Sequence, residues 1–123
     1  MITTREIRDY LKNEYNFGFE KYQVGEMVSD KEKQLYLYDV ADPDENQTPT
    51  IHFTKTIMLY IHWNNDENET YEKTMEIYKA LFRKCKFVIN GKMISYIIVD
   101  LPIDEYKDKY NIYNRSIKIK FVE

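Results

Sequence analysis

Few residues in this sequence could perform chemistry, and their spacing matches no common catalytic or metal-binding arrangement. The chain of 123 residues contains two histidines and one cysteine. His52 and His62 share strand parity, but an extended strand would hold them roughly 33 Å apart, too far for both to bind one metal ion. Cys85 continues an apolar helical pattern, which predicts a small buried side chain rather than a nucleophile. We therefore expect neither a metal site nor a catalytic cysteine.

An acidic segment, Asp42 to Pro49, begins like a calcium-binding loop but does not continue like one. Its first, third and fifth positions carry side-chain oxygen atoms, as such loops require. The sixth position is Gln47 where the loop needs Gly, and the twelfth is Phe53 where it needs Glu. The sequence also has no glycine-rich phosphate loop and no nucleophile-elbow motif. We expect no enzyme activity and no cofactor.

Charge and composition favour binding to proteins. The net charge of −3 argues against a protein that binds nucleic acid through a broad basic face. The small basic cluster formed by Arg83, Lys84 and Lys86 is explained by the end of a helix, where cations are favoured. Tyrosine is abundant, with 12 residues, and its apolar ring and polar hydroxyl suit half-buried surfaces and interfaces. We expect protein partners and no specific nucleic acid.

The sequence also predicts that the chain is made in the cytoplasm and stays off membranes. Its first residues contain no apolar stretch of the kind found in signal peptides. The longest apolar runs, such as Ile57 to Ile61, are too short to span a bilayer. A single cysteine cannot form an intramolecular disulfide, which fits a reducing compartment.

Two helices are predicted. The first covers residues 4 to 15, because Thr3 and Glu6 have the spacing of a capping box and apolar residues follow at helical intervals. The second covers Thr70 to Lys84, with an acidic turn before it and basic residues at its end. Its apolar stripe, which we expect to face the core, is widened by Ile77 and Leu81 and repeats at intervals of four and three: Tyr71, Met75, Tyr78, Phe82 and Cys85.

Alternating and continuous apolar runs predict strands around both helices, and Asn90-Gly91 predicts a tight hairpin. The segment Asp104 to Asn111 is predicted as a charged connection. The strands are expected at Tyr22 to Met27, Leu35 to Val40, His52 to Trp63, Phe87 to Ile89, Met93 onward through Tyr96 to Ile103, and Arg115 to Val122. This order predicts a single α+β domain over residues 1–123, with an antiparallel or mixed sheet of five to six strands and two helices on one face. The expected core includes Leu59, Ile61, Tyr78 and Leu81.

The order of elements, more than any single motif, resembles the small tail-terminator proteins of long-tailed bacteriophages and prophages, also called tail-completion or minor capsid proteins. The resemblance covers nearly the whole chain and is carried by the opening helix, a long loop, a central strand with its acidic turn and helix, and the closing hairpin and strand: Thr3 to Tyr15, Asp39 to Thr50, Ile51 to Leu81 and Phe87 to Val122. It is clearest in Thr56 to Trp63 and in Tyr71 to Leu81.

The resemblance implies a structural virion protein without catalytic residues. Members of this family form a ring, usually of six copies, that caps the tail tube and joins the head–tail connector. The resemblance further implies that the protein is located in the host cytoplasm during assembly and in the virion tail afterwards. It also implies that DNA passes through the ring. An acidic lumen would repel that DNA, and the turn Asp66 to Glu69 is compatible with such a lining.

A ring closed by rotation needs two different contact surfaces on each copy. Our candidates are the long acidic loop, with Asp42, Asp44 and Glu45, and the last strand, with Arg115, Lys118 and Lys120. In that strand Lys118 and Lys120 alternate with apolar residues, so one side of the sheet should meet water or a partner. Two other function classes stay open: a small cytoplasmic inhibitor or immunity-type protein that binds a toxin or enzyme, and an enzyme whose residues meet only in the fold.

Overall fold

The structure, a computed structural model, describes residues 1–25, 31–41 and 53–123, with the side chains of residues 105 and 106 excepted. The acidic loop at 42–49 and His52 therefore lie outside the described residues. Within the described ranges, two helices and seven strands follow one another: α1 (Thr4–Glu14), β1 (Lys21–Val24), β2 (Gln34–Asp39), β3 (Thr54–His62), α2 (Glu67–Leu81), β4 (Cys85–Ile89), β5 (Lys92–Val99), β6 (Ile103–Lys107) and β7 (Tyr113–Val122).

The strands form one curled, mixed sheet in the order β1-β2-β3-β7-β5-β4, with β6 also paired to β7. The pair β1–β2 is parallel and the other pairs are antiparallel. The predicted α+β class, with a mixed sheet and both helices on one face, is confirmed. The sheet gains a strand because Pro102 lies where the long hairpin arm was expected to continue, and β6 then forms within the segment predicted as a connection. Proline cannot donate a backbone hydrogen bond, so it interrupts a strand.

α1 begins where its sequence predicts and ends one residue earlier, at Glu14. The backbone N–H of Glu6 donates to the Oγ1 atom of Thr3 at 3.2 Å, and the backbone N–H of Thr3 donates to the Oε1 atom of Glu6 at 3.0 Å. This reciprocal pair is the capping box, and it satisfies two backbone donors that would otherwise have no helical partner. Ile7 and Leu11, one turn apart, are fully buried and fix the helix to the sheet.

α2 begins and ends three residues earlier than its predicted bounds. Asp66 caps the helix, because its Oδ1 atom accepts the backbone N–H of Glu69 at 3.0 Å. The helix ends at Leu81, and Arg83 has a left-handed φ of 61° that no α-helix can continue. Cys85 is consequently the first residue of β4 and is exposed. The prediction that Cys85 extends the helical stripe and is buried is wrong.

One apolar core lies between the helices and the sheet. Leu59, Ile61 and Leu81 are buried as predicted, while Tyr78 is only half-buried. Alternate residues of β2, β3 and β7 supply most of the sheet's share of this core: Leu35, Leu37, Ile57, Leu59, Ile61, Ile117, Ile119 and Phe121. No helix within the described ranges is both long enough and apolar enough to cross a bilayer.

The buried face of α2 contains only part of the predicted stripe. The helix buries Ile77 and Leu81, as predicted, together with Thr70 and Thr74. This face is rotated by about 100° from the line of residues that repeats at intervals of four and three. Tyr71 and Phe82 of the predicted stripe are exposed, whereas Met75 and Tyr78 are half-buried. α2 therefore presents a second apolar stripe that its own subunit covers only in part.

Candidate interaction surfaces

β7 is a central strand, so its predicted interface residues are presented on the faces of the sheet and not on an edge. It pairs with β3 on one side and with β5 and β6 on the other. Lys118 and Lys120 alternate with the buried Ile117, Ile119 and Phe121. Because side chains alternate across a strand, the two lysines lie on the face opposite the helices. We call this face the open face.

The open face is apolar and basic beside β5. Ile98 lies opposite Lys120, and Tyr96 lies opposite Val122 in the register of β5 and β7. Ile98 and Tyr96 are 48% and 47% exposed, an unusual position for such side chains next to one another. Ile98, Asp100, Lys118 and Lys120 line a small depression here. The ammonium group of Lys118 beside the apolar side chain of Ile98 suits a partner that offers both apolar contact and carboxylates.

Aromatic side chains continue the open face across β2 and β3. The rings of Tyr38 and Tyr60, which belong to neighbouring strands, have centroids 6.2 Å apart. Further along, the rings of Tyr36 and His62 are 6.0 Å apart, and Tyr36 is buried. Tyrosine alternates with leucine along β2, so its tyrosines lie on the open face and its leucines lie on the helix face.

Arg115 occupies the helix side of β7, unlike the two lysines. Its guanidinium forms an ion pair with Asp104 of β6 and lies 5.1 Å from the ring centroid of Tyr71 in α2. Only 11% of its side chain is exposed. Arg115 thus links β7, β6 and α2 within the subunit. A partner that contacted Arg115, as the sequence predicts, would compete with Asp104 and Tyr71 for the guanidinium group.

A buried polar cluster closes the far end of the open face. The Nδ1 atom of His62 lies 2.7 Å from Oδ1 of Asn114 and 3.4 Å from Oδ2 of Asp108. Asn114 Nδ2 donates to that same Asp108 oxygen at 3.2 Å. The other oxygen of Asp108 accepts the backbone N–H groups of Tyr110 and Ile112 at 2.9 and 3.1 Å. The cluster therefore shapes the loop between β6 and β7 and fastens it to β3.

The sequence contained no signal for this cluster, because its members are far apart in the chain. Asn114 is 52 positions from His62, and only the pairing of β3 with β7 places them side by side. The cluster is mainly structural in what it does here, since each bond satisfies a polar group that burial would otherwise leave without water. Within the described ranges, no group of three His, Cys, Asp or Glu side chains has the geometry to hold a metal ion.

A hollow with an aromatic floor lies at the N-terminal end of α2. The Nζ atoms of Lys73 and Lys33 lie 4.6 and 5.5 Å from the ring centroid of Trp63, and Lys73 also donates to Glu76 at 2.6 Å. Three more carboxylates line the hollow: Glu32, Glu69 and Glu72. The turn predicted as acidic is therefore part of a larger acidic surface, which two internal lysines neutralise in part.

The two flanks of the acidic loop are fixed, although the loop itself lies outside the described residues. Asp39, at the end of β2, accepts hydrogen bonds from Thr4 and, at 3.0 Å, from Lys55. These two donors, Thr4 first, lower the pKa of the Asp39 carboxyl. On the other flank, the carbonyl of Phe53 accepts the backbone N–H of Glu123 at 2.9 Å. The predicted contact residues Asp42, Asp44 and Glu45 lie between these anchors.

No protein-family model matches the chain, and no curated protein matches it either. The functional assignment therefore depends on the sequence pattern and on the geometry of these surfaces. Of the six predicted contact residues, Lys118 and Lys120 lie together on the open face and Arg115 lies on the helix face. The remaining three, Asp42, Asp44 and Glu45, are outside the described residues.

Proposed function

We propose that this chain is a structural phage protein that caps the tail tube as a ring of identical copies, usually six, and forms part of the head–tail joint. The observation that supports the proposal best is the apolar and basic patch on the open face beside β5. Both helices pack on the other face, while Tyr96 and Ile98 are about half-exposed beside Lys118 and Lys120. The order of elements resembles that of tail terminators. This resemblance indicates the class of partner, which is the tail tube protein and the head–tail connector protein.

A ring closed by rotation joins two different surfaces of neighbouring copies. In the proposal, the open face around Ile98 and Lys118 is one surface, and the acidic loop with Asp42, Asp44 and Glu45 is the other. The two surfaces have opposite charge, which favours the correct orientation of neighbours and slows non-productive contacts. The tail tube protein and the connector protein bind the two ends of the ring, and DNA passes through its lumen past acidic residues such as Glu69.

Charge reversal on the open face tests this proposal. The double variant Lys118→Glu and Lys120→Glu should lower the yield of joined heads and tails in an extract that lacks the wild-type protein. The matched control is Lys12→Glu with Lys21→Glu, which changes the net charge equally at exposed positions of α1 and β1. The control should join heads and tails normally, and both variants should keep the wild-type thermal midpoint within a few degrees.

Two results would contradict the proposal at different levels. Normal joining by the open-face variant, together with normal joining when Asp42, Asp44 and Glu45 are all replaced by alanine, would remove both surfaces from the ring. Normal joining in the extract without any added protein would remove the tail-terminator function itself.

A further inference from the structure

α2 carries a half-exposed apolar seam with the spacing of a coiled coil. Tyr71, Met75, Tyr78 and Phe82 follow one another at intervals of four, three and four, which are the d and a positions of two successive heptads. The ring of Tyr78 stacks on that of Phe82, with centroids 5.3 Å apart. The seam thus runs along about 16 Å of α2, from Tyr71 to Phe82 at the C-cap of the helix.

The subunit itself leaves this seam largely open. Tyr71 is 49% exposed and Phe82 is 46% exposed, while Met75 between them is half-buried. Arg115 stacks on Tyr71 and Arg83 stacks on Phe82, each at 5.1 Å from the ring centroid. An arginine therefore contacts the aromatic ring at each end of the seam, but both rings stay about half-exposed. Such a row of apolar side chains on one helix is typical of a helix–helix contact.

The charged residues beside the seam indicate which helix could pack against it, namely α2 of a second copy in antiparallel orientation. Glu72 and Lys79 both follow a seam residue directly and occupy the two e positions of the heptads. Both side chains are exposed. In an antiparallel pair of identical helices, Glu72 of one helix faces Lys79 of the other, and the two-fold axis repeats this contact. A parallel pair would instead bring each e position to a g position of the partner, so that Glu72 would face Glu67 and Lys79 would face the buried Thr74, without any pair of opposite charges.

The same antiparallel register matches the seam residues by size and polarity. Tyr71 packs against Phe82 of the second copy, and Met75 at the centre packs against Tyr78, so that every layer joins an a position to a d position. At the ends, the acidic first turn of α2, with Glu67, approaches the basic turn with Arg83. The helix is self-complementary in this one orientation.

We propose that two copies of this chain associate through α2, seam against seam and antiparallel, as a two-fold dimer in solution. The inference goes beyond the proposed tail function and does not depend on it. Four apolar side chains per copy make a small contact, so the dissociation constant should be on the order of 1–100 µM. The open face of the sheet is on the other side of each subunit and stays accessible in the dimer.

Sedimentation equilibrium over a concentration series measures the dimer directly. The weight-average mass of the wild type should rise from the 15.0 kDa of one chain toward twice that value. Met75→Glu puts a charge at the centre of the seam and should weaken association at least about tenfold. Met93→Glu is the matched control, because Met93 is 58% exposed on β5, away from α2, and should leave association unchanged.

Charge exchange tests the orientation of the two helices. Glu72→Lys alone and Lys79→Glu alone should each weaken homodimers roughly tenfold, because each places two like-charged pairs beside the seam. A mixture of the two single variants should form heterodimers, and the double variant should recover the wild-type constant. A wild type that stays monomeric at about 1 mM, an effect of Met93→Glu as large as that of Met75→Glu, or failure of both rescues would overturn the proposal.

Discussion

Lys92 donates from Nζ to the Oε1 atom of Glu6 at 2.8 Å, although the two residues are 86 positions apart in the chain. Asn90, in the turn of the β4–β5 hairpin, donates to the other carboxylate oxygen of Glu6 at 2.6 Å. Glu6 is also the residue that completes the capping box with Thr3. One carboxylate therefore caps the N-terminus of α1 and fixes the hairpin beside it, which positions β5 and its exposed side chains.

This arrangement predicts how stability depends on pH. Hydrogen bonds from Lys92, then Asn90, and also from Thr3 lower the pKa of Glu6 from 4.5 to about 2. A carboxyl whose pKa is lower in the folded state contributes its stability above about pH 4.5 and loses it as the pH falls toward about 2. Glu6→Gln should therefore be less stable than the wild type at pH 7, and the difference should shrink between pH 4.5 and pH 2.

Urea unfolding at several pH values checks this dependence on Glu6. Glu14→Gln, which removes a carboxylate from the exposed last turn of the same helix, is the control for the change in net charge. A difference between Glu6→Gln and the wild type that stays constant from pH 7 to pH 2 would show that the carboxylate does not hold the hairpin electrostatically.

Two neighbouring positions of α2 distinguish its core face from its outer seam. Ile77 is fully buried, so Ile77→Ala should lower the free energy of unfolding by about 2–5 kcal/mol. Met75 is half-buried on the seam, and Met75→Ala should cost less than half as much in the monomer. Chemical unfolding at low protein concentration measures both variants. Equal losses would mean that the seam belongs to the core after all.

The contact between His62 and Asn114 should contribute measurably to stability. His62→Ala removes the 2.7 Å contact to the buried Oδ1 atom of Asn114, and removing one partner of a buried hydrogen bond costs about 1–3 kcal/mol. The double variant, in which Asn114→Ala is added, should lose less than the sum of the two single losses, because both side chains belong to one network. Strict additivity in a double-mutant cycle would argue that the two side chains do not interact.

The exposed position of Cys85 predicts a reactive but dispensable thiol. Cys85→Ser should change the free energy of unfolding by no more than about 0.5 kcal/mol, as is usual for surface positions. The native protein should react with a thiol reagent as fast as the unfolded chain does, within about tenfold. Strong protection of the native thiol from the reagent would show that Cys85 is buried and would contradict its exposed position.

The elements that the sequence predicted best are those whose local and tertiary signals agree. α1 has both a capping box and a single apolar stripe, and it forms where expected. In α2 the signals disagree: Thr70 and Thr74 look polar, but the hydroxyl of Thr74 donates to the carbonyl of Thr70 at 2.7 Å. A threonine whose hydroxyl bonds to its own helix can be buried. The face of α2 with Thr70 and Thr74 therefore packs on the core, and the aromatic stripe lies on the outer side of the helix.

The interaction surfaces were less predictable than the fold. The alternation in β7 correctly separated Lys118 and Lys120 from the core, because parity along a strand is a local property. The polar sequence of β6 predicted a connection where a strand forms. Asp104 can lie in this strand because it forms an ion pair with Arg115 of the neighbouring strand β7. The His62 cluster depends on residues that only the sheet register brings together, and no spacing in the sequence encodes that register.

Electron microscopy of the purified protein mixed with isolated tail tubes tests the central proposal most directly. The proposed function predicts a ring of density at one end of each tube, with rotational symmetry, and loss of that ring in the variant carrying Lys118→Glu and Lys120→Glu. Tubes whose ends stay bare at every protein concentration, while the protein instead binds a toxin tightly, would contradict the tail-terminator account and support the inhibitor class.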